Sequence, residues 1–202
     1  MFTLDEYLAV ARQNTPLRIA SDMAFAPDHE TRLRLVEEAI DWISQDFTKN
    51  KHLKQDSSED DLTVQIVLAL KAMNFLAYHD VQYGGHTDII VEGANEFLWI
   101  AEAKIHKDYN WLLDGFEQLD RRYSTGLPGQ NAGELIVYVK VADANAVMER
   151  WSKHLANKRS DVSIVQCGKD PLARRSEHIH ASTGLSFYVR HKPFVLYHKP
   201  TV

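Results

Sequence analysis

One segment limits the possible architectures more than any other. Leu135 to Val141 is a near-continuous apolar run, the pattern of a strand in the middle of a sheet covered on both faces. Helical and strand-like segments alternate around it. Thr31 to Phe47 carries Leu33, Leu35, Val36, Ala39, Ile40 and Ile43 at helical spacing. Ser57-Ser58 followed by Glu59-Asp60-Asp61 is a strong helix start, a capping hydroxyl and then acids in the positive first turn. Leu62, Ile66, Ala69, Leu70, Met73 and Ala77 then supply the apolar face of a helix of about 19 residues.

Beyond the Gly84-Gly85 turn come a strand, Thr87 to Val91, a turn near Gly93-Ala94-Asn95 and a second strand, Phe97 to Ile105. So short a link predicts an antiparallel hairpin. A helix from Lys107 to Tyr123 follows, with Trp111, Leu112, Gly115, Phe116 and Leu119 on its buried side. After the apolar strand come a helix over 143–157 and a strand from Val162 to Cys167. The tail, Ile179-His180-Ala181 and Ser186 to Tyr197, reads as further short strands turned at Thr183-Gly184 and bent at Pro193. The core order is therefore helix, strand, strand, helix, strand, helix, strand, an α/β mixed sheet flanked by helices. Residues 1–56 are predicted to be an N-terminal helical extension packed on that core. It holds a helix from Leu4 to Gln13, a turn at Thr15-Pro16 and a loop from Phe25 to Asp28. The polar stretch Thr48 to Ser58 marks its boundary with the domain over 57–202.

A chain of 202 residues can bury a sizeable core without disulfides. Its single cysteine, Cys167, excludes an internal disulfide and a Cys-rich zinc site, and suits a reducing, cytoplasmic setting. No apolar run approaches the roughly 20 residues of a bilayer span, and the first residues lack signal-peptide character. No membrane association is expected. The net charge of −5 hides an asymmetry. Residues 1–103 hold 8 Lys+Arg against 18 Asp+Glu, and residues 104–202 hold 15 against 10. A half that can collect cations is joined to a half that can meet phosphates.

The sharpest chemical feature is Gly85-His86-Thr87-Asp88, then thirteen residues, then Glu102-Ala103-Lys104. Alternate strand residues share a face, so Glu102 and Lys104 point the same way, about 6–7 Å apart. The hairpin can bring Asp88 beside Glu102. Glu-X-Lys is common on exposed strands, but this one ends a very apolar run, Phe97-Leu98-Trp99-Ile100-Ala101. Charges placed there are costly unless paired or bound to a metal. Two converging carboxylates suit Mg²⁺ or Mn²⁺. A lysine beside that cation can position or deprotonate water, or steady charge on phosphorus.

This arrangement resembles the restriction-endonuclease-like, PD-(D/E)XK phosphodiesterases, whose core is helix, three strands, helix, strand; the match extends over about residues 57–167. The resemblance implies that Asp88 and Glu102 bind the metal, with the Ala103 carbonyl as a further ligand, and that Lys104 is the catalytic lysine. It also implies a Glu near the start of the first core helix. Glu59 matches that place best, in competition with Asp60 and Asp61. Thr87 stands where the family name would have Pro. Gln118 matches a helix Gln that touches metal-bound water or phosphate in several branches. Tyr123 lies one residue late for that pattern, rotated about 140° from Gln118 on a helix. Arg122 shares the Gln118 face and is a candidate phosphate clamp. The expected activity is that of a Mg²⁺-dependent DNA endonuclease, acting as a homodimer where both strands are cut. A ribonuclease or toxin-like effector using the same site, and a non-catalytic binding module, are the alternatives.

Among other residues, His106 shares the face of Lys104 and is a candidate phosphate contact, and His86 lies two residues before Asp88. His178 and His180 alternate on a strand, but no third ligand suggests zinc. Trp111, Phe116 and Trp151 read as core rather than as platforms for bases. Lys153, His154, Lys158 and Arg159, and Arg174-Arg175 in a loop, read as solvated charge or backbone contacts to nucleic acid. There is no phosphate-binding Gly-rich loop, HExxH or G-x-S-x-G motif.

Overall fold

The structure, a computed structural model, describes residues 3–82 and 86–199, apart from the side chains of residues 81, 82, 86, 122 and 123. Three helices come first: α1 (Leu4–Ala11), α2 (Thr15–Ala24) and α3 (His29–Lys49). Pro16, expected in a turn, instead lies in the first turn of α2, where a missing N–H costs nothing, and Asn14 caps it. Then follow α4 (Glu59–Ala72), β1 (Leu76–Gln82), β2 (His86–Gly93), β3 (Phe97–Ile105), α5 (Tyr109–Gln118) and β4 (Ala132–Val139). The chain closes with α6 (Ala144–Lys158), β5 (Ser163–Gln166), β6 (Arg174–Ile179) and β7 (Ser186–Val195).

The strands form one mixed sheet of seven, ordered β1-β2-β3-β4-β7-β6-β5. β2 and β3 pair antiparallel, while β3, β4 and β7 run parallel to one another. Helices cover both faces. On one, Ile19, Val36, Ile40 and Phe47 of α2 and α3 join Ile66 and Leu70 of α4 against Trp99, Ala101 and Ala103. On the other, Leu112 and Phe116 of α5 and Met148 and Trp151 of α6 pack on Leu98, Ile100, Leu135 and Val137. β4 is buried from Gly133 to Val139, as its apolar run requires. It starts and stops earlier than that run, leaving Val141 exposed.

Several elements depart from the sequence reading. The helix beginning at Glu59 stops at Ala72 rather than continuing through Ala77, because Asn74 adopts a left-handed φ of 65° that ends it. Ala77 belongs instead to β1, an edge strand that buries Ala77 and exposes Leu76 and Tyr78. That inversion of polarity hides the strand. The helix expected over Lys107 to Tyr123 is α only to Gln118 and closes as a π turn over Leu119–Tyr123. Finally, Arg174-Arg175 lies on β6 rather than in a loop, and β7 runs straight through Pro193. The β6 ladder ends at His191, so the proline sits where its absent N–H is not needed on that side.

β7 is polar yet internal, and buried pairing explains how. Arg190 donates to both carboxylate oxygens of Glu134 on β4 and to Asp41 of α3, while Lys192 donates to Asp170. Arg175 binds Glu37 of α3 through both terminal nitrogens, and Arg174 donates to the carbonyls of Pro171, Leu172 and Ala173. These guanidiniums hold the fold together rather than reaching outward. Among the described residues no helix is long and apolar enough to cross a membrane.

Candidate active site

The β2–β3 ladder runs from Gly93↔Phe97 to Ile89↔Ala101 and stops there. Beyond that point the backbone donors on this side of β3 need other acceptors. Asp88 provides the first: its Oδ2 accepts from the Ala103 N–H at 2.8 Å. Glu59, at the start of α4, provides the next: its Oε2 accepts from the Ile105 N–H at 2.6 Å. Two carboxylates from separate elements thus lie along the opened edge of one strand. The other first-turn acids of α4 are occupied elsewhere. Asp61 forms a capping box with Ser58, and Asp60 faces His79 at 3.1 Å. Glu59 is therefore the acid of that trio that reaches β3.

Glu102 and Lys104 project from β3 toward α5 and are both buried, at 2% and 7% exposure. The Lys104 Nζ donates to Glu102 Oε1 at 2.6 Å and lies 3.8 Å from Glu59 Oε1. Glu102 Oε2 is buried without any hydrogen-bond partner. Burial, and then the neighbouring Asp88 charge, push the Glu102 carboxyl up to about 7 despite the lysine. Burial likewise raises Asp88, against the Ala103 N–H and the Lys104 charge. For Lys104, burial pulls downward, but Glu102, Asp88 and Glu59 outweigh it and hold the amine above its usual value.

No family model, curated protein or solved structure matches the chain. What the site can do follows from its own geometry. Among the described residues no three potential ligands converge into a finished cation cluster. Asp88 and Glu59 each spend an oxygen on a backbone N–H, while Glu102 Oε2 is buried and accepts no hydrogen bond. The donor set is all oxygen.

The remaining candidates scatter. Gln118 lies three residues beyond Gly115, whose missing Cβ would meet Lys104 Cγ at 2.9 Å, so it shares the helix face turned to the lysine. Its side chain makes no hydrogen bond within the described residues. The side chains of Arg122, Tyr123 and His86 lie outside the described ones, and the π turn removes the α-helical spacing by which Arg122 was matched to Gln118. His106 is half-buried against Tyr109, 5.2 Å between centroids, with both ring nitrogens unpartnered, and burial lowers its pKa. His178 is committed to Asp120 at 2.7 Å, beside Arg159 at 3.0 Å, which accounts for it without zinc.

Three supports were not visible in the sequence. Tyr138 of β4, fully buried, shares a 3.0 Å hydrogen bond with Thr63, and Thr63 donates to the Glu59 carbonyl. This braces the turn of α4 that carries Glu59. Trp111 places its ring 5.1 Å from the Lys104 ammonium, and so lines the site rather than the core, unlike the fully buried Phe116 and Trp151. Gly115 admits the lysine stem; a glycine inside an otherwise good helix was its only signal.

Proposed function

We propose that this chain is a Mg²⁺-dependent nuclease whose site comprises Asp88, Glu102, Lys104 and Glu59, and that DNA is its substrate. One observation carries the reading. A carboxylate–lysine pair is buried on an apolar strand, with one carboxylate oxygen unpartnered, where the sheet opens and a second carboxylate enters. A structural ion pair would satisfy both oxygens; a buried polar atom left unmade costs about 1–3 kcal/mol. The element order α4-β1-β2-β3-α5-β4 supports kinship with the PD-(D/E)XK enzymes, being helix, three strands, helix, strand.

Asp88 and Glu102 would hold the cation, with Glu59 and the Ala103 carbonyl completing its shell. That carbonyl leaves the strand on the same side as the Ala103 N–H that meets Asp88. Such a cation supplies a Lewis acid at the phosphoryl oxygen and an acidified water. The chain does the rest. Lys104, held by the neighbouring carboxylates above its usual value in the metal-free site, is placed to meet phosphate as a cation. It binds a non-bridging phosphate oxygen and meets the charge that grows on phosphorus, an effect of about 10²–10³ in rate. Gln118, on the same helix face as the glycine over Lys104, is placed to orient water or phosphate. A homodimer would be needed to cut both strands together.

A second reading is a non-catalytic nucleic-acid module on the same fold, in which the Lys104–Glu102 pair is a buried structural ion pair. Calorimetric titration with Mn²⁺ separates the two. Binding that is lost in Glu102→Ala supports the enzyme, and no binding to the intact protein supports the module. Parallel incubation of one preparation with DNA and RNA decides the substrate, and degradation of RNA alone would refute the choice of DNA.

A further inference from the structure

A cleft of about 450 Å³ is lined by Asp108, Tyr109, Asn110, Trp111, Asp114 and His154, between the start of α5 and the face of α6. It adjoins the site through Trp111, whose ring stands 5.1 Å from Lys104 Nζ and 4.8 Å from Lys107 Nζ. A row of rings backs it. His106 lies 5.2 Å from Tyr109, Tyr109 lies 5.9 Å from His154, and His154 stacks at 6.3 Å on the buried Trp151.

The polar groups of this wall are unusually idle. Trp111 Nε1, His154 Nε2 and both His106 nitrogens are buried with no hydrogen-bond partner. The Asn110 amide and Asp114 carboxylate make no side-chain hydrogen bond within the described residues. Charge then divides a nucleotide in one orientation only. The carboxylates of Asp108 and Asp114 repel a phosphate from the cleft, while the amines of Lys104 and Lys107, which lie over the Trp111 ring, draw one beside it. What suits the cleft is a flat, neutral, aromatic group with donors and acceptors on its edge. Aromatic and imidazole walls stack such a group, and the exposed Asn110 amide can meet its edge.

We infer that the cleft takes one unpaired nucleobase of the strand whose phosphate lies at Lys104. The substrate is then single-stranded or locally unpaired DNA, since a base held in a duplex cannot enter a pocket without leaving its stack. This rests on the phosphodiesterase reading of the site.

The test is binding without turnover, in chelator, by fluorescence anisotropy at one fixed ionic strength. Three labelled ligands of equal length are compared: an oligothymidylate, the same backbone without bases, and a blunt duplex. The intact protein is expected to bind the oligothymidylate about 10-fold more tightly than either other ligand. Trp111→Ala should bring that preference to within about 2-fold. Asn110→Ala, at an exposed position that leaves the fold intact, should reduce it about 3-fold. Equal affinity of the intact protein for base-bearing and abasic strands, or an unchanged preference in both variants, overturns the subsite and leaves the nuclease reading standing. If no ligand binds at all, both fall together.

Discussion

Glu102 meets two opposing demands. Its carboxylate is buried on an apolar strand, one oxygen bound to Lys104 and the other unpartnered, so the protein holds its pKa near 7 rather than at the usual carboxylate value. Linkage fixes the sign. A carboxyl raised in the folded state binds more protons than its unfolded counterpart, so its contribution is full below pH 4.5 and is lost as pH rises to about 7. Urea denaturation of metal-free protein should therefore show stability falling across that window. Glu134, raised similarly by burial despite Arg190, contributes a parallel fall, so the diagnostic quantity is the difference between proteins. Glu102→Gln should show the shallower decline, and a slope identical to that of the unaltered protein would mean Glu102 ionises normally. A divalent cation should oppose the effect by stabilising the ionised form.

At the scale of elements, the site depends on how closely α5 approaches β3. An added Cβ at Gly115 would stand 2.9 Å from Lys104 Cγ and 3.3 Å from Leu135. Alanine favours a helix by about 1 kcal/mol over glycine, so Gly115→Ala should leave the melting temperature within a few degrees. It should nevertheless lower the cleavage rate about 10-fold or more by displacing the lysine. Full activity would show that Lys104 does not need its present position. Tyr138→Phe tests the bracing of α4: it deletes the bond to Thr63 and should cost about 1 kcal/mol in denaturant unfolding. Much of this scale was legible in the sequence. The β2–β3 hairpin, the shared face of Glu102 and Lys104 and the doubly covered β4 followed from period and polarity. β1 did not, because an edge strand with Leu76 and Tyr78 outward carries no clean alternation. The family resemblance put Glu59 ahead of Asp60 and Asp61, but period and polarity alone could not choose among the three, since that depends on where the start of α4 meets β3.

Across the whole molecule, α3 is tied to the far half of the sheet by charge as well as by apolar packing. Arg190 joins Glu134, Asp41 and the Glu37 carbonyl in one buried network. Removing one partner strands the other, so Arg190→Met should destabilise by about 3–5 kcal/mol. Coupling it with Glu134→Leu should recover most of that loss in equilibrium unfolding. If the double variant were as unstable as the single one, Arg190 would act through Asp41 and Glu37 rather than through Glu134. Ser186 to Tyr197 reads as strand bent at Pro193, but nothing local shows that Arg190, His191 and Lys192 are buried. Their partners are far away in the chain, and a local pattern holds no record of them.

The central proposal is that Asp88, Glu102 and Lys104 form a phosphodiesterase site, and plasmid cleavage tests it most directly. Purified protein should convert supercoiled DNA to nicked or linear forms with Mg²⁺ and leave it intact with chelator. Asp88→Ala and Lys104→Ala, each shown to be folded by circular dichroism, should lose that activity by at least about 100-fold. Cleavage that persists in both folded variants would contradict the account.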